Sequence, residues 1–471
     1  MLLRQIFTEK IAHSSYILAV KSSCAVIDPR RDIQVYLDEA QAMGVAITHI
    51  FQTHLHADFV SGHMDLAAVT GAKIHVPRSA ECVFDHVPLS EKDTVEIENL
   101  LLEVVETPGH TPEHVAYVVK DLARSDSPVA VFTGDTLFVG DVGRPDLFPG
   151  KAEDLAGKLY HSLHDKLLSL PDHCEVYPAH GAGSLCGRSM AAKRTSTIGY
   201  ERLFNPALNI EDKEEFIHSL TNDMPPAPDH FSRCTEINRQ GPELLSKLPV
   251  PEELDPAAFR ERAKDVEILD VRTYDAFSGH HVSGSWNLDL NGNFPTFAGW
   301  VLPVDKDILL VDSGPEEAEK AVTGARRVGV DRITGILAGG MPAWVTAGFS
   351  TGNVPLLSAG GLHGMITDAE KFILLDVRAP AEFDDNHIEG ALNIPVDELR
   401  SRHEELDRQK SVVVICSSGN RGSIAASILK QKGFSKLFNV AGGMTGYSAA
   451  GYTKRCHACN VPHGPRFLAD E

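Results

Sequence analysis

Histidine and aspartate residues recur through the first 180 residues in short motifs that follow apolar runs. The motifs are "THLHADF" with His54, His56 and Asp58, "TPGHT" with His110, "FTGDT" with Asp135 and "YPAHG" with His180. One histidine would mean little among the 22 in the chain, but the set combines the imidazole and carboxylate groups that bind metal ions. Runs such as "ITHIFQTH" and "PVAVFTGD" predict strands, whose ends converge on one edge of an α/β sheet. The sequence therefore predicts a metal site at that edge.

The residue after Asp58 bears on how many ions this site holds. Two-metal hydrolases with this pattern place a histidine there, whereas this chain has Phe59, whose ring cannot bind a metal. Losing one of about four protein ligands weakens a second position, so we expect one ion per chain. Two histidines and one carboxylate with open positions suit an Fe(II) that handles O₂, while Zn(II) also accepts histidine ligands. Residue types alone leave both metals open.

A cysteine stands where a strand gives way to a helix in the C-terminal part of the chain. The apolar run "SVVVI" leads into "CSSGNRGS" and then into the helical "IAASILKQKG". Loop amides, the helix N-terminus and the guanidinium of Arg421 all favour a thiolate, so Cys416 is predicted to be a nucleophile. The loop between these two residues is shorter than the one that cysteine-dependent phosphatases of similar design wrap around a phosphate. The smaller ring suits a single extra sulfur on Cys416.

An internal repeat covers the second half of the chain. "ILDVRTYDAFSGHHVSGSWNL" is echoed by "LLDVRAPAEFDDNHIEGALNI", and "LAGGMPAWVTAGF" is echoed by "VAGGMTGYSAAGY". Each copy alternates β-rich with helical runs over a typical small-domain length. The first copy has Asp312 where the second has Cys416, and Glu317 where the second has Arg421. An aspartate cannot carry a sulfur atom, so the first copy is predicted to be catalytically inactive.

These features divide the chain into three α/β domains. The predicted boundaries are residues 1–245 for the metal domain, 252–352 for the inactive repeat and 355–471 for the repeat with Cys416. The proline-rich stretch "NDMPPAPDHFSRC" predicts a linker near the end of the metal domain. In the C-terminal tail, Cys456 and Cys459 have a C-x-x-C spacing. Three roles are open for this pair: binding Zn, acting as a redox dithiol, or no dedicated role.

Composition excludes several classes of protein. The formal net charge of −21 argues against nucleic acid and anionic membrane surfaces as partners, because both need basic patches. No apolar run is long enough to span a bilayer, and the N-terminus does not have the pattern of a signal peptide. The eight cysteines are scattered, as in proteins of a reducing compartment, so we expect a cytoplasmic location. An inactive duplicate domain leads us to expect a homo-oligomer.

The motifs "LLDVR", "HIEGALNIP" and "CSSGNRGS", followed by "GGM", resemble those of rhodaneses, a family of sulfurtransferase domains. The resemblance implies that Cys416 carries a persulfide and that Arg421 completes its catalytic loop. It also implies a substrate cradle made of Ser417, Ser418, Gly419, Asn420 and Gly422.

The first domain resembles the metallo-β-lactamase fold superfamily and, within it, the persulfide dioxygenases, through "TPGHT", "FTGDT" and "VGDVGRPDL". The resemblance implies an αββα sandwich in which one Fe(II) is held by His54, His110 and Asp135. Three further residues are then expected to orient the ligands or waters: His56, Asp58 and His180. Arg144 is expected to bind the carboxylates of the persulfide substrate, with an ion pair to Asp141 or Asp146 as the alternative.

The two resemblances together imply a persulfide dioxygenase joined to a sulfurtransferase. O₂ would oxidise a low-molecular-weight thiol persulfide to sulfite and thiol, and Cys416 would form thiosulfate from sulfite or use thiosulfate in the reverse direction. Cys186 follows His180 closely and is either a buried structural thiol or a sulfur relay near the metal. The competing functions are a Zn-dependent, glyoxalase II-like thioester hydrolase with an appended sulfurtransferase, and a non-enzymatic sulfur carrier or sensor.

Overall fold

The structure is a computed structural model that describes residues 1–188, 190–222, 224 and 227–453. The chain divides into two compact units. The first contains Met1–Leu248 with the short segments Ala298–Leu302 and Thr323–Asp331, and the second contains the rest of the described chain. The three domain boundaries remain predictions, and the C-x-x-C pair of Cys456 and Cys459 lies outside the described residues.

Two six-stranded sheets form the first unit. In spatial order, the first sheet consists of β1 (Leu2–Thr8), β2 (His13–Ala19), β3 (Ser23–Ile27), β4 (Ala46–Phe51), β5 (Lys73–Pro77) and β6 (Val87–Leu89). The strands of the second sheet are β7 (Thr94–Ile97), β8 (Leu100–Glu106), β9 (Val115–Asp121), β10 (Pro128–Gly134), β11 (Glu175–Pro178) and β12 (Ser196–Thr197). They lie in the order β12-β11-β10-β9-β8-β7. Both sheets mix parallel and antiparallel pairs.

The alternation of apolar side chains along the strands explains the layers. In β2, Tyr16 and Leu18 lie in the core between the two sheets, together with Leu102 of β8. Their neighbours Ile17 and Ala19 lie in a second core on the other face of the first sheet. Because successive side chains of a strand point to opposite faces, an uninterrupted apolar strand must be covered on both sides.

Helices provide that cover. They are α1 (Gln34–Met43), α2 (His63–Thr70), α3 (Ala152–His161), α4 (Ile198–Phe204), α5 (Lys213–Thr221) and α6 (His230–Gln240). Tyr36 of α1 packs on the first sheet, and Leu159 of α3 packs on the second. Helix α1 is closed by Gly44, which has a φ of 68°. The expected αββα sandwich is confirmed.

Helix α6 positions the loop that carries the first metal-binding motif. Its Asn238 accepts a hydrogen bond from the Ser61 N–H at 2.8 Å, and its side-chain amide donates to the carbonyl oxygens of His56 and Phe59, both at 2.8 Å. All of these groups are buried, so each would otherwise lack a partner. The predicted linker is therefore wrong from His230 onward, because this stretch forms a helix that holds the site together.

The two repeats form two parallel five-stranded sheets with equivalent strand orders, β13-β17-β16-β14-β15 and β18-β22-β21-β19-β20. The first repeat contains β13 (Glu252–Leu254), α7 (Pro256–Arg262), β14 (Glu267–Asp270), α8 (Tyr274–Gly279), β15 (Trp286–Asn287), α9 (Phe294–Val301), β16 (Ile308–Val311), α10 (Pro315–Arg327), β17 (Ile333–Leu337) and α11 (Gly340–Thr346). The second contains β18 (Leu356–Leu357), α12 (Ala359–Thr367), β19 (Phe372–Asp376), α13 (Pro380–Asp385), β20 (Leu392–Asn393), α14 (Leu399–Arg402), β21 (Ser411–Ile415), α15 (Asn420–Gln431), β22 (Leu437–Val440) and α16 (Gly443–Ala449). Among the described residues, no helix has the length and apolar character needed to cross a membrane.

The "DVR" motif of each repeat makes the same buried ion pair. Arg272 donates to Asp270 and to the carbonyl oxygen of His280, at 2.6 and 2.8 Å. In the second repeat, Arg378 donates to Asp376 at 2.6 Å and to the backbone eight residues later. Each pair fastens the end of a central strand to the connection that follows it. The shared motif thus gives the first repeat, which lacks the cysteine, the same strand-to-loop contact as the second.

Replacing Asn238 with alanine should destabilise the first unit by about 2–5 kcal/mol, because one backbone N–H and two carbonyl groups would lose their buried partners. Urea unfolding, followed by a probe in the first unit, measures the loss. The exposed Asn209 provides a matched control, and Asn209→Ala should change stability by less than about 0.5 kcal/mol. Equal stability of the two variants would contradict the positioning role of Asn238.

Candidate metal centre and persulfide loop

Three of the predicted metal-binding side chains meet at one edge of the sandwich. His54 follows β4, His110 lies between β8 and β9, and Asp135 follows β10 directly. One ligand atom from each lies within 4.8 Å of the others, and all three residues are buried. Asp135 Oδ2 is 3.4 Å from His110 Nε2 and 3.8 Å from His54 Nε2. The strand ends thus converge as the sequence predicts.

Hydrogen bonds fix the rotation of both imidazole rings. Nδ1 of His110 donates to the carbonyl oxygen of Arg144 at 2.9 Å. Nδ1 of His54 is 2.9 Å from the Thr53 hydroxyl, which itself donates to Asp28 Oδ2 at 2.8 Å. Each ring therefore carries its proton on Nδ1, and Nε2 of each ring has no hydrogen-bond partner among the residues that the structure describes. Such outer hydrogen bonds orient a histidine for metal binding.

The charge states also suit metal binding. Burial lowers the pKa of His54 well below its ordinary value and lowers the pKa of His110, so both rings are neutral at pH 7. Burial alone would raise the pKa of Asp135, but its contacts with His180 outweigh burial and the net shift is downward, so Asp135 is a carboxylate. The donor set consists of two neutral imidazoles and one anion.

The Asp135 backbone is held by a histidine that sequence reasoning did not select. The Asp135 N–H donates to Nε2 of His114 at 2.9 Å. Nδ1 of His114 lies 2.9 Å from the Thr107 hydroxyl and 3.0 Å from the Thr136 hydroxyl. His114 thus supports the carboxylate ligand without facing the common point of the three side chains.

His180 lies between two carboxylates. Its Nδ1 is 2.7 Å from Asp135 Oδ1, and its Nε2 is 3.0 Å from Asp58 Oδ2. Burial opposes a charge on this ring, but Asp135 and Asp58 raise the pKa of His180 well above its ordinary value. Cys186 is buried beside them, with its sulfur within 4.8 Å of ligand atoms of Asp58 and His180. These three residues form a second cluster of potential donors next to the first.

Phe59 fills space beside this second cluster. Its ring is fully buried, with its centroid 4.5 Å from that of His56 and 4.2 Å from that of His13. His56 Nε2 lies 3.2 Å from Asp28 Oδ1, so this ring is directed to a protein carboxylate. Burial lowers the pKa of His13 well below its ordinary value, so His13 is neutral. An apolar ring thus lies beside the second cluster, at the position where two-metal hydrolases with this pattern have a histidine.

Arg144 is buried and paired. Its guanidinium makes a bidentate contact with Asp146, with both distances at 2.7 Å, and donates to the carbonyl oxygen of Leu185 at 3.1 Å. Only 2% of its surface is exposed. The alternative ion pair with Asp146 is therefore present, and the substrate-binding role of Arg144 remains a prediction.

The persulfide loop consists of residues 416–422. Its first residue, Cys416, directly follows β21, and α15 begins four residues later at Asn420. The Gly419 N–H donates to the sulfur of Cys416 at 3.1 Å, as the predicted loop requires. Gly422 is buried in α15, where a Cβ atom would lie 2.2 Å from Asn439 Oδ1. Ser418 is exposed at the surface of the loop. The thiol itself is buried.

Arg421 of this loop is not an isolated cation. Its guanidinium donates to both oxygens of Glu382, at 2.6 and 2.8 Å, and to the Ser417 hydroxyl at 2.5 Å. Burial alone would raise the pKa of Glu382, but the hydrogen bonds and charge of Arg421 lower it to about 2. Glu382 therefore fixes the position of Arg421 from outside the loop.

The corresponding loop of the first repeat has no such arrangement. Asp312 directly follows β16, at the position that Cys416 takes after β21. Burial and the nearby Glu317 raise the pKa of Asp312 to about 6. Ala276 stands where the second repeat has Glu382, so both members of the ion pair are absent from this copy. The first repeat thus lacks both the cysteine and the ion pair, and its catalytic inactivity remains a prediction.

Several supporting residues were not predicted from the sequence, although the sequence contains a recognisable pattern for two of them. Asp28 ends the strand run "CAVID", so the rule that selected Asp135 could also have selected it. Glu382 could have been found by comparing the repeats, because the acid is present only in the copy that has Arg421. His114 and Asn238 have no such signal, because their partners are defined only by the fold.

Comparison with known proteins agrees with this architecture. A model of the "Metallo-beta-lactamase superfamily" matches residues 9–180, and a model of the "Rhodanese-like domain" matches residues 255–347 and 358–450. A crystal structure of a metallo-beta-lactamase from Staphylococcus aureus is 32% identical and covers 72% of this chain and 98% of its own, with a TM-score of 0.64.

Curated relatives fall into two classes. The mouse protein named "Persulfide dioxygenase ETHE1, mitochondrial" is 31% identical over 246 residues, which cover 50% of this chain and 87% of the relative. A hydroxyacylglutathione hydrolase of Pseudomonas entomophila is 36% identical over 157 residues, which cover 33% of this chain and 56% of the relative. The match to the first class spans nearly the whole relative, whereas the match to the second spans about half. The chain therefore belongs to the ETHE1 persulfide dioxygenase family of the metallo-β-lactamase superfamily, and it carries two rhodanese-like domains after the metal-binding domain.

Proposed function

We propose that the first unit is an iron-dependent dioxygenase that oxidises a low-molecular-weight thiol persulfide. The balanced reaction is R–S–SH + O₂ + H₂O → R–SH + SO₃²⁻ + 2H⁺. The observation that carries the proposal is the set of two neutral imidazoles and one carboxylate whose free donor atoms face a common point. Membership of the persulfide dioxygenase family supports the choice of substrate.

The residues present fit one Fe(II). His54, His110 and Asp135 would hold it. The Nε2 atoms of the two histidines are buried without a hydrogen-bond partner among the described residues, and Asp135 is a buried negative charge, so a cation between them would stabilise all three groups. A two-histidine, one-carboxylate set with open positions is the ligand set of non-haem Fe(II) oxygenases. Bound there, Fe(II) would supply redox chemistry with O₂ that the side chains themselves cannot.

The neighbouring residues favour one ion over two. Both ring nitrogens of His180 already contact carboxylates, Asp135 on one side and Asp58 on the other. A second ion would have to displace the contact with Asp58 and use Cys186 as a third ligand, and the protonated His180 already has both ring nitrogens engaged by carboxylates. His56, Asp58 and His180 are therefore proposed to orient ligands and waters, with the protonated His180 fixing Asp135.

Arg144 is proposed to bind a carboxylate of the persulfide substrate in exchange for Asp146. Its backbone also contributes, since its carbonyl oxygen accepts the Nδ1 proton of His110. A substrate held by Arg144 would thus lie beside a group that orients a metal ligand. Guanidinium groups suit this role because they bind carboxylates through two parallel hydrogen bonds.

The second repeat is proposed to transfer sulfur through Cys416. The thiolate attacks the outer sulfur of a persulfide: Cys–S⁻ + R–S–SH → Cys–S–SH + R–S⁻. After deprotonation, sulfite removes that sulfur: Cys–S–S⁻ + SO₃²⁻ → Cys–S⁻ + S₂O₃²⁻. Arg421 and the amides of the loop from Ser417 to Gly422 would stabilise the anion on the outer sulfur.

The two activities share substrates, which is the reason we propose that they are coupled. Sulfite is a product of the first reaction and an acceptor in the second, and the reverse transfer from thiosulfate would supply persulfide to the first. The cytoplasmic location and the homo-oligomeric state remain predictions; the mammalian relatives are named as mitochondrial proteins.

Replacing His110 with alanine should remove the metal and lower persulfide-dependent O₂ uptake by at least about 100-fold, because a ligand is lost. Metal analysis of protein purified without oxygen, together with an oxygen electrode, measures both effects. The exposed His161 provides the control, and His161→Ala should retain metal and activity. We expect one Fe per wild-type chain.

The same measurements separate the dioxygenase from the hydrolase that some relatives suggest. Stoichiometric Zn, together with thioester turnover that needs no O₂, would contradict the dioxygenase assignment. A panel of persulfides of glutathione, coenzyme A and cysteine then identifies the thiol carrier.

Cys416→Ser should abolish thiosulfate formation and leave O₂ uptake unchanged, because the serine hydroxyl cannot carry a sulfane sulfur. Sulfur transfer from a persulfide to sulfite and O₂ consumption are measured on the same protein. The buried Cys174, which lies in the core of the first unit, provides the control as Cys174→Ser. Loss of both activities in Cys416→Ser would refute the separation of the two sites.

The Glu382–Arg421 pair should make the persulfide loop sensitive to acid. Since the pKa of Glu382 is lowered to about 2 in the folded protein, its stabilisation is complete above the unfolded value of about 4.5 and is lost as pH falls toward 2. Amide hydrogen exchange of residues 416–422 should therefore be faster in Glu382→Gln than in wild type at pH 6, and the difference should shrink at pH 3. The exposed Glu404→Gln should match wild type at both pH values.

A further inference from the structure

A tyrosine of the inactive repeat lies against the persulfide loop of the active one. Gly419 has a φ of 114°, and a Cβ atom there would lie 2.8 Å from Cζ and 2.9 Å from Cε2 of Tyr274. The Tyr274 ring thus occupies the space beside Gly419 into which a side chain would project. The N–H of this same glycine donates to the sulfur of Cys416.

The tyrosine also reaches a second segment that holds Cys416. The Tyr274 hydroxyl lies 3.4 Å from the backbone N–H of Gly442. Two residues later, the Met444 N–H donates to the Cys416 carbonyl oxygen at 2.7 Å. The phenol therefore spans the gap between the persulfide loop and the turn that packs against its backbone.

The inactive repeat holds this tyrosine firmly. The Tyr274 N–H donates to Asp289 Oδ2 at 3.0 Å. Nearby, the Asn287 N–H donates to the Ser427 hydroxyl at 3.0 Å, and the Ser423 hydroxyl donates to Asn287 Oδ1 at 2.6 Å. Because Asn287, Ser423 and Ser427 are buried, these hydrogen bonds fix α15, which starts at the persulfide loop, against the first repeat.

A second group also lies against the loop. The Glu382–Arg421 pair covers Ser417, and Cys416 itself is only 1% exposed. An acceptor must therefore reach a buried sulfur in a loop that both Tyr274 and the Glu382–Arg421 pair contact. Space of this kind admits a small anion more readily than a peptide-sized thiol.

We propose that Tyr274 is a specificity-determining residue of the Cys416 site, which it covers so that sulfite is favoured over bulky thiols as the sulfur acceptor. The proposal rests on the sulfurtransferase function proposed above. It gives the first repeat, which has no cysteine at this position, a role in the reaction of the second repeat. In the wild-type chain, sulfite takes the outer sulfur of Cys416 readily, while a thiol such as glutathione is hindered by the phenol ring. Because loading of Cys416 from a thiol persulfide is the reverse of that transfer, the ring also slows loading from a glutathione-sized persulfide relative to a smaller one.

The test compares two acceptors in the full-length protein. The value of kcat/KM for sulfur transfer from Cys416 is measured with sulfite and with glutathione. Tyr274→Ala should raise the kcat/KM with glutathione, relative to the kcat/KM with sulfite, by at least about tenfold, because the ring that hinders the larger acceptor is gone. Tyr274→Phe keeps the ring and should stay within about twofold of wild type, since the 3.4 Å hydroxyl contact is weak. Tyr200→Ala, at an exposed tyrosine of α4, provides the control.

A purely structural role would give a different result. If Tyr274 only supports the fold, Tyr274→Ala would lower both rates together and leave the ratio unchanged, which would overturn the proposal. A changed ratio in Tyr274→Phe equal to that in Tyr274→Ala would overturn it as well, because the hydroxyl rather than the ring would then decide.

A second measurement keeps the proposal separate from the sulfurtransferase function. Alkylation of Cys416 by iodoacetamide and by the bulkier N-phenylmaleimide is followed by mass spectrometry of the peptide that contains it. Tyr274→Ala should accelerate the reaction with the maleimide relative to iodoacetamide. This shift in a protein that transfers no sulfur would refute the proposed sulfurtransferase and support the covering role of Tyr274. No shift, with sulfur transfer intact in wild type, would refute the covering role alone.

Discussion

The carboxylate of Asp28 is the group on which the geometry of the metal centre depends. It accepts hydrogen bonds from the Thr53 N–H and from the Thr53 hydroxyl, both at 2.8 Å, and it contacts Nε2 of His56. Because the hydroxyl proton of Thr53 points at Asp28, its oxygen must accept from Nδ1 of His54. One buried acid thus sets the tautomer of a metal ligand and the direction of the ring beside it.

The loops at the strand ends need partners for the same reason. A buried loop carries backbone groups that no sheet satisfies, so side chains from elsewhere must bind them. Asn238 does this for the carbonyl oxygens of His56 and Phe59, and the carboxylate of Glu113 accepts from the Leu55 N–H. These hydrogen bonds hold the backbone of the metal motif in one conformation, which suits a site that presents two ring nitrogens to one point.

The difference between local signals and contacts made only in the folded chain explains what the sequence could and could not predict. An acid or histidine directly after an apolar strand is a local signal, so it predicts the convergence of His54, His110 and Asp135, whereas the sandwich is implied by the resemblance to the metallo-β-lactamase superfamily. The contact of Asn238 with His56 joins residues 182 positions apart, and the stretch that precedes α6 is rich in proline, so local signals there favoured a linker. The sequence predicts Arg421 without its acidic partner, because Glu382 is 39 positions away and becomes its neighbour only through the fold, whereas Asp146 is two positions from Arg144 and is already the stated alternative partner.

Those two ion pairs have a shared consequence for substrate binding. In each pair the acid is more exposed than the guanidinium: 25% for Asp146 against 2% for Arg144, and 38% for Glu382 against 23% for Arg421. A displaced acid can therefore be hydrated while the cation stays in place. An anionic substrate that takes its position exchanges one charge-assisted contact for another, so the gain in affinity is small while the orientation is retained. Under the proposed function, and in a chain with a net charge of −21, paired guanidinium groups of this kind would bind anions for turnover rather than for tight retention.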